Sequence, residues 1–123
     1  MAQNRGESWA NRQATMFLIH ALHHTGVPRM TEPLFELGQV VMTRTAQLAM
    51  DKRGQLHIVQ TMLNRHALGD WGDLDKEDIQ ANNAALRDGD RLLSAYQFDD
   101  GFKVWIITEA DRSATTVLLP EDY

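Results

Sequence analysis

The sequence contains no cysteine, only three prolines and no long apolar run. Without cysteine there can be no disulfides, thiolate metal ligands or cysteine nucleophiles, and a reducing compartment is suitable for the chain. No apolar segment approaches the roughly 20 residues that span a bilayer. The run Met16-Phe17-Leu18-Ile19 is too short for the apolar region of a signal peptide. We therefore expect a cytoplasmic protein.

The chain has 123 residues, of which 43% are hydrophobic, and a net charge of −5. This size is typical of one domain with its own core. The charge is uneven, since residues 1–69 carry +3 and residues 70–123 carry −8. An acidic surface is either simply solvated or meets a basic partner. Direct binding of nucleic acid is not expected, because it normally requires a basic footprint.

The pattern of apolar and turn residues predicts an α+β fold: an antiparallel sheet of about four strands with three to four helices packed on one face. Residues 1–33 are expected to form a tail, a helix over about 8–25 and a connector. Residues 34–123 are expected to form a single α+β domain. Its first strand is predicted over 34–42, and a C-terminal meander over 91–119 supplies the others.

Capping residues predict the helix ends within the domain. Thr43 is expected to begin a short helix over 44–51, and Asp73 or Asp75 to begin another over about 74–88, which Gly89 ends. Between them, a helix over 55–67 has its apolar positions on one face, namely Leu56, Val59, Leu63 and His66.

The strands carry two further local predictions. Gly38 within the first strand indicates a bulge or the close approach of another backbone. Asp99-Asp100-Gly101 is typical of a type I turn closed by a bulge, which pairs Phe98 with Phe102 and Tyr96 with Val104.

The segment His66 to Asp73, the first polar loop, combines an imidazole, two carboxylates, an indole and two glycines. In one hypothesis His66 is a general base held by Asp70. In the other, Asp70 and Asp73 cap the backbone and Trp71 covers the sheet. The structural hypothesis is favoured, because caps are common in loops and acid–base pairs are rare.

The second polar loop, Thr108 to Ser113, follows an apolar strand. Glu109 and Asp111 could act in acid–base or metal chemistry, and Arg112 could pair with either acid or with Asp70 or Asp73. The alternative is a salt-bridged turn, which is the more common arrangement.

Positions outside the polar loops are also candidates. Asn82 and Asn83 lie inside a predicted helix, where one of them either hydrogen-bonds an unpaired backbone group or contacts a ligand. His20 and His24 are one helical turn apart and could chelate a divalent ion. A solvated histidine cluster is the favoured interpretation of that pair, and no cofactor is expected.

From about Leu37 to Tyr123 the chain resembles a family of small bacterial proteins carried on plasmids and other mobile elements, some of them called plasmid-related proteins. The resemblance rests on the motifs Gly69-Asp70-Trp71-Gly72-Asp73 and Trp105-Ile106-Ile107-Thr108-Glu109-Ala110-Asp111-Arg112-Ser113, with the C-terminal Leu118-Leu119-Pro120-Glu121-Asp122-Tyr123. Relatives often have Pro-Gly where Arg44-Thr45 stand here. The resemblance implies an association with mobile elements and no particular reaction.

The leading hypothesis is an interaction or regulatory module that binds another protein through its acidic C-terminal half. A host defence or DNA-processing enzyme with a basic surface would be a suitable partner. The second hypothesis is a small hydrolytic or nucleotide-directed enzyme. Its candidate catalytic residues are His66, Asp70, Glu109, Asp111 and Arg112, and Trp71, Asp73 and Asn82 complete the candidate binding residues. The third hypothesis gives both polar loops a purely structural role.

Overall fold

The structure, a computed structural model, describes residues 16–18 and 32–123. Four strands form a mixed sheet: β2 (Gln39–Thr43), β3 (Leu92–Gln97), β4 (Lys103–Thr108) and β5 (Ala114–Leu118). A three-residue strand, β1 (Met16–Leu18), adds a fifth at one edge, so that the order is β1-β2-β5-β4-β3. Three α-helices connect the strands: α1 (Arg44–Lys52), α2 (Val59–Ala67) and α3 (Lys76–Asp88). The predicted α+β class is confirmed.

The sheet is not wholly antiparallel as predicted, because β2 and β5 run parallel. The other pairs, β1 with β2, β3 with β4 and β4 with β5, are antiparallel. A parallel pair requires a long crossover connection. Here the connection from β2 to β5 contains the three α-helices and the strands β3 and β4. Consecutive hairpins have a local sequence signature, whereas this long-range pairing has none.

Several predicted boundaries are wrong. The first strand starts at Gln39, five residues later than expected, and the segment before it is bend and coil. The helix predicted over 55–67 is divided into a 3₁₀ turn, Leu56–Ile58, and α2. The described part of the predicted N-terminal helix, Met16–Leu18, is a strand. The other residues of that predicted helix lie outside the described part of the chain.

The capping predictions are confirmed. The Thr43 hydroxyl accepts a hydrogen bond from the Ala46 N–H at 3.2 Å at the start of α1. Asp75, rather than Asp73, caps α3 by accepting from the Asp78 N–H at 2.8 Å. Gly89 ends α3 with a left-handed φ of 81°, a conformation that glycine adopts without steric cost. The side chains of Thr43 and Asp75 thus accept hydrogen bonds from backbone N–H groups that have no partner inside the helix.

The β3–β4 hairpin has the predicted register. Tyr96 pairs with Val104 and Gln97 with Lys103, while the Phe98 N–H donates to the Phe102 carbonyl at 2.7 Å. Alternation along the strands then directs one set of side chains toward the helices.

The main core lies between the helical face of the sheet and the helices α1 and α2. Its buried members come from strands and helices alike: Val40, Met42, Tyr96, Val104, Ile106 and Val117 from the strands, and Ala46, Met50, Val59, Met62 and Leu63 from the helices. A second cluster joins α3 to the sheet through Ala85, Leu92 and Trp71. The described helices therefore pack on one face, as predicted. None of them is both long and apolar enough to cross a membrane.

The C-terminus is fixed against the start of α1. Asp122, in a 3₁₀ turn over Pro120–Asp122, accepts hydrogen bonds from the hydroxyls of Thr43 at 2.7 Å and Thr45 at 2.6 Å. On the sheet face opposite the helices, the Tyr123 ring meets the Trp105 ring edge-on, with centroids 5.9 Å apart. The chain end thus contacts both faces of the fold.

Candidate functional site

The first polar loop lies along the outer edge of β3. The Ala95 N–H donates to the Trp71 carbonyl at 3.1 Å, and the Asp73 N–H donates to the Ala95 carbonyl at 2.6 Å. Farther along the edge, the Asp73 carboxylate accepts from the Gln97 N–H at 2.7 Å. An exposed strand edge favours pairing with another chain. The loop satisfies these edge groups internally and so supports the structural hypothesis.

Gly72 makes this close approach possible. Its φ is +81°, and a Cβ at this position would collide with the Ala95 carbonyl oxygen and the Tyr96 ring. Glycine is required both by the backbone conformation and by the absence of space.

Asn82 on α3 protects the next position along the same edge. Its side-chain amide donates to the Leu93 carbonyl at 2.5 Å, and its oxygen accepts from the Leu93 N–H at 3.1 Å. The prediction that one of Asn82 and Asn83 satisfies an unpaired backbone group is confirmed for Asn82, which uses both hydrogen-bonding ends of its amide.

The side chain of Trp71, in the first polar loop, is buried and only 3% exposed. Its indole N–H donates to the Asn83 side-chain oxygen at 3.0 Å. Its ring stacks on Phe35, with centroids 6.2 Å apart, and meets the His66 ring edge-on at 5.7 Å. A buried indole with a satisfied N–H and aromatic neighbours is a packing element.

His66 is fully buried and belongs to a chain of hydrogen bonds that crosses the sheet. The Thr115 hydroxyl donates to the Leu37 carbonyl at 2.7 Å, so it accepts from Thr108, also at 2.7 Å. Because each hydroxyl has a single proton, Thr108 in turn accepts from Nε2–H of His66 at 2.8 Å. Nδ1 is then the acceptor for the Ser94 hydroxyl at 2.6 Å. The ring is the neutral Nε2–H tautomer.

Two effects stabilise this neutral form. Burial, and secondarily the positive charge of Arg112, lower the pKa of His66 to about 3. Both ring nitrogens are used by protein hydroxyls, and the ring has no solvent-accessible surface. These hydrogen bonds fix the orientation of the imidazole ring and leave neither nitrogen available to accept a proton from a substrate.

The pairing of His66 with Asp70, which the less favoured hypothesis required, is not formed. Asp70 instead forms a two-point contact with Arg65, at 2.7 and 3.2 Å, and accepts from the Gly72 N–H at 3.3 Å. The hydrogen bond from Arg65 is the main cause of a lowered pKa at Asp70. The Asp70 carboxylate thus holds the first polar loop to Arg65 at the protein surface.

Among residues 32–123, Arg112 forms none of the ion pairs with Glu109, Asp111, Asp70 or Asp73 that the sequence suggested. Its guanidinium donates to the backbone carbonyls of Asp90 at 2.6 Å, Glu109 at 3.1 Å, Ala110 at 3.2 Å and Ala85 at 3.3 Å. Two of these carbonyls lie at or just beyond the C-terminal end of α3, where a cation is favoured by the helix dipole. The residue has a φ of +62°, and partial burial lowers its pKa. Arg112 thus joins the second polar loop to α3.

The two acids of the second polar loop are separated. Glu109 is buried, and its carboxylate lies 3.9 Å from Arg91 Nε, its cross-strand neighbour. Asp111 is exposed and accepts from the Ser113 N–H at 3.0 Å. Hydrogen bonds from Ser113 lower the pKa of Asp111. The paired-carboxylate hypothesis for this loop is not supported by that arrangement.

The two polar loops nevertheless lie in one region, and Phe35 connects them. Its ring contacts His66 edge-on, with centroids 5.2 Å apart, and lies 5.7 Å from the Arg112 guanidinium carbon. It also carries the stacking contact with Trp71 described above. Phe35 was not a candidate in the sequence, where it falls within the predicted first strand, whereas in the structure it lies in the irregular segment before β2.

Residues 16–18 and 32–123 contain no group of three or more His, Asp or Glu side chains that could hold a metal ion. His20 and His24, the candidate chelating pair, lie outside these residues. Comparison with protein-family models, with curated proteins and with solved structures finds no match.

Sequence reasoning missed an open cleft on the other side of α2. It lies between residues 53–65, which include most of α2, and residues 96–100 of the β3–β4 hairpin. Arg53 and Arg65 are among its lining residues. In the sequence both arginines contribute only to the charge of residues 1–69, since the aromatic rings that contact them are distant along the chain.

Proposed function

We propose that the chain is a non-catalytic interaction module that binds a protein with a basic surface. The single observation behind this proposal is the contrast between its two sets of polar groups. The predicted catalytic residues are held in structural hydrogen bonds or ion pairs or separated from one another. The carboxylates around α3 are exposed, and four of them define an acidic helix surface: Glu77, Asp78, Asp88 and Asp90.

The spacing of these acids suits a contact along the helix. Glu77 and Asp88 are eleven residues apart, which is three helical turns and returns to the same face. Asp90 follows directly after the helix. A row of carboxylates on a rigid element attracts a basic patch and sets its orientation. The resemblance to plasmid-related proteins adds a narrower proposal, in which the partner is a DNA-processing or host defence enzyme and the acids occupy its phosphate-binding surface.

Affinity capture from a bacterial host tests this proposal with three forms of the chain: the wild type, a helix variant and a control variant. The helix variant carries Glu77→Gln, Asp78→Asn, Asp88→Asn and Asp90→Asn. The control variant carries four equivalent changes at exposed acids elsewhere, Glu32→Gln, Glu36→Gln, Asp51→Asn and Glu121→Gln. Both variants change the net charge equally.

We expect the wild type and the control to retain one identified protein that the helix variant loses. The affinity of the purified pair should fall steeply with salt, because the contact is ionic and solvent-exposed. A double-stranded DNA oligonucleotide should compete if the partner is a DNA-binding enzyme. Equal binding by both variants, or an affinity that is insensitive to salt, would contradict the proposal.

A further inference from the structure

The cleft beside α2 has a volume of about 480 Å³. This volume is in the range of small-molecule sites. Its lining includes Ile58 and Met62 from the helical side and Tyr96 and Phe98 from the hairpin. These side chains give it an apolar and aromatic floor, and Arg53 and Arg65 add charge to the lining.

Arg53 is held in place by aromatic and polar contacts together. Its guanidinium lies 4.1 Å from the Phe102 ring centroid and 5.3 Å from that of Phe98. Its Nη2 contacts both carboxylate oxygens of Asp100 at 3.0 Å, and its Nε donates to Gln55 at 2.7 Å. A guanidinium fixed on an aromatic face loses little further entropy when it binds a ligand.

Arg65 repeats this arrangement from α2. Its guanidinium lies 4.6 Å from the Tyr96 ring centroid, and its Nε and Nη2 donate to Asp70. In both arginines the contacts use Nε and Nη2. Nη1 of Arg53 and Nη1 of Arg65 have no hydrogen-bond acceptor among residues 32–123. Two oriented cationic groups with donors still available therefore line one cleft, whose other polar lining residues are Gln55, Gln97, Asp99 and Asp100.

The charges near the cleft restrict the ligand further. Asp70 and Asp100 offset the two guanidinium charges, and Asp99 adds a negative charge to the lining. These carboxylates repel a multiply charged anion more strongly than a singly charged one, so the ligand is limited to a single carboxylate, which is held by hydrogen bonds from the available Nη1 groups and not by net charge. The apolar surface that a ligand can reach comes mainly from the half-buried Ile58 and Phe98, since Met62 and Tyr96 are only 2% and 3% exposed. This surface suits a flat hydrocarbon group.

We propose that this cleft binds a small monocarboxylate with a flat apolar body, such as an aromatic acid. The carboxylate accepts hydrogen bonds from Arg53 and Arg65, and the apolar body packs on the floor. This proposal is independent of the acidic helix surface, which is formed by α3 and the residue that follows it.

Titration of the ¹⁵N-labelled protein with three probes tests the proposal by NMR. The probes are 2-naphthoate, 2-naphthylmethanol and 2-naphthylmethylamine, which share a ring system and differ in charge. We expect 2-naphthoate to shift the backbone amides of 53–65 and 96–100 and to bind at least about fivefold more tightly than the alcohol. That ratio corresponds to about 1 kcal/mol. The amine should bind no more tightly than the alcohol.

Three variants separate this site from non-specific binding. Arg53→Gln with Arg65→Gln should reduce the affinity for 2-naphthoate to that of the alcohol. The matched control, Arg44→Gln with Arg87→Gln, removes the same charge from exposed positions outside the cleft and should leave the affinity unchanged. Asp99→Asn should tighten 2-naphthoate binding, because it removes a repulsive charge from the lining.

Each variant is first checked for a native amide spectrum. If the double cleft variant does not fold, the single variants Arg53→Gln and Arg65→Gln should each weaken 2-naphthoate binding in proportion. The proposal is overturned if all three probes bind equally, if the shifted amides lie outside the cleft, or if the control variant loses affinity as much as the cleft variant.

Discussion

The side chain of Asn82 takes the position of a neighbouring strand beside Leu93, since it bonds both the N–H and the C=O of that residue. Asn82→Ala removes both partners and leaves two backbone groups unsatisfied at a protected edge. We expect it to lower the free energy of unfolding by about 2 kcal/mol. Urea denaturation measures this loss, and hydrogen exchange at the Leu93 amide should accelerate. Gln80→Ala, at an exposed position of the same helix, should change neither quantity appreciably.

His66 gives the fold a specific pH dependence. Its pKa is lowered to about 3 in the folded state, while an unfolded histidine titrates near 6.5. Between these values the unfolded chain binds one more proton than the folded chain, so stability falls as the pH falls. The expected slope is about 1.4 kcal/mol per pH unit. Between pH 6 and pH 4 the slope in the wild type should exceed that in His66→Gln by about this amount.

Asp70 also has a lowered pKa, but its contribution is lost only when the pH falls through the acidic range of carboxylates, and His66→Gln retains it. NMR of the wild-type imidazole provides a second measurement that needs no variant. The ring should remain the neutral Nε2–H tautomer at pH 5. Titration of His66 near pH 6.5 would show that the buried hydrogen-bond chain is not formed.

The elements that depend on neighbouring residues could be predicted from the sequence. The Thr43 cap, the Gly89 cap and the register of Tyr96 with Val104 each follow from a few adjacent positions. The inward direction of His66 followed from its spacing to Val59 and Leu63, which are also buried. The close approach of another backbone at Gly38 is confirmed too, because a Cβ there would collide with the carbonyls of Arg112 and Ser113.

The features that escaped prediction are contacts between distant segments. The parallel pairing of Val40 with Thr115 joins positions on either side of the domain. Arg65 and Tyr96 line the same cleft only because α2 packs against the hairpin. Polar residues in loops suggested chemistry at Asp70 and Arg112. Their partners, a neighbouring arginine and four backbone carbonyls, are decided by the tertiary fold.

Arg112 combines a strained backbone with a helix-capping side chain. Arg112→Ala loses the hydrogen bonds to backbone carbonyls and keeps a non-glycine residue at a φ of +62°. We expect it to destabilise the fold by about 2–3 kcal/mol. Arg112→Gly loses the same hydrogen bonds and relieves the backbone strain, so it should be less destabilising than alanine by up to about 1 kcal/mol. Thermal and urea unfolding of both variants measure the difference. An alanine variant as stable as the wild type would contradict a locking role for the guanidinium.

Gly72 and Gly101 separate the effect of backbone conformation from that of close packing. Both have a left-handed φ, of 81° and 91°. At Gly101 an added Cβ meets no atom within 4 Å, whereas at Gly72 it would collide with the Ala95 carbonyl and the Tyr96 ring. Gly101→Ala should therefore cost only the conformational strain, about 1 kcal/mol. Gly72→Ala should cost several times more, because the first polar loop must move away from β3 and release the edge hydrogen bonds of Ala95. Unfolding measurements on both variants, with hydrogen exchange at the Ala95 amide, check this order. Similar losses in the two variants would mean that the loop does not seal the edge of the sheet.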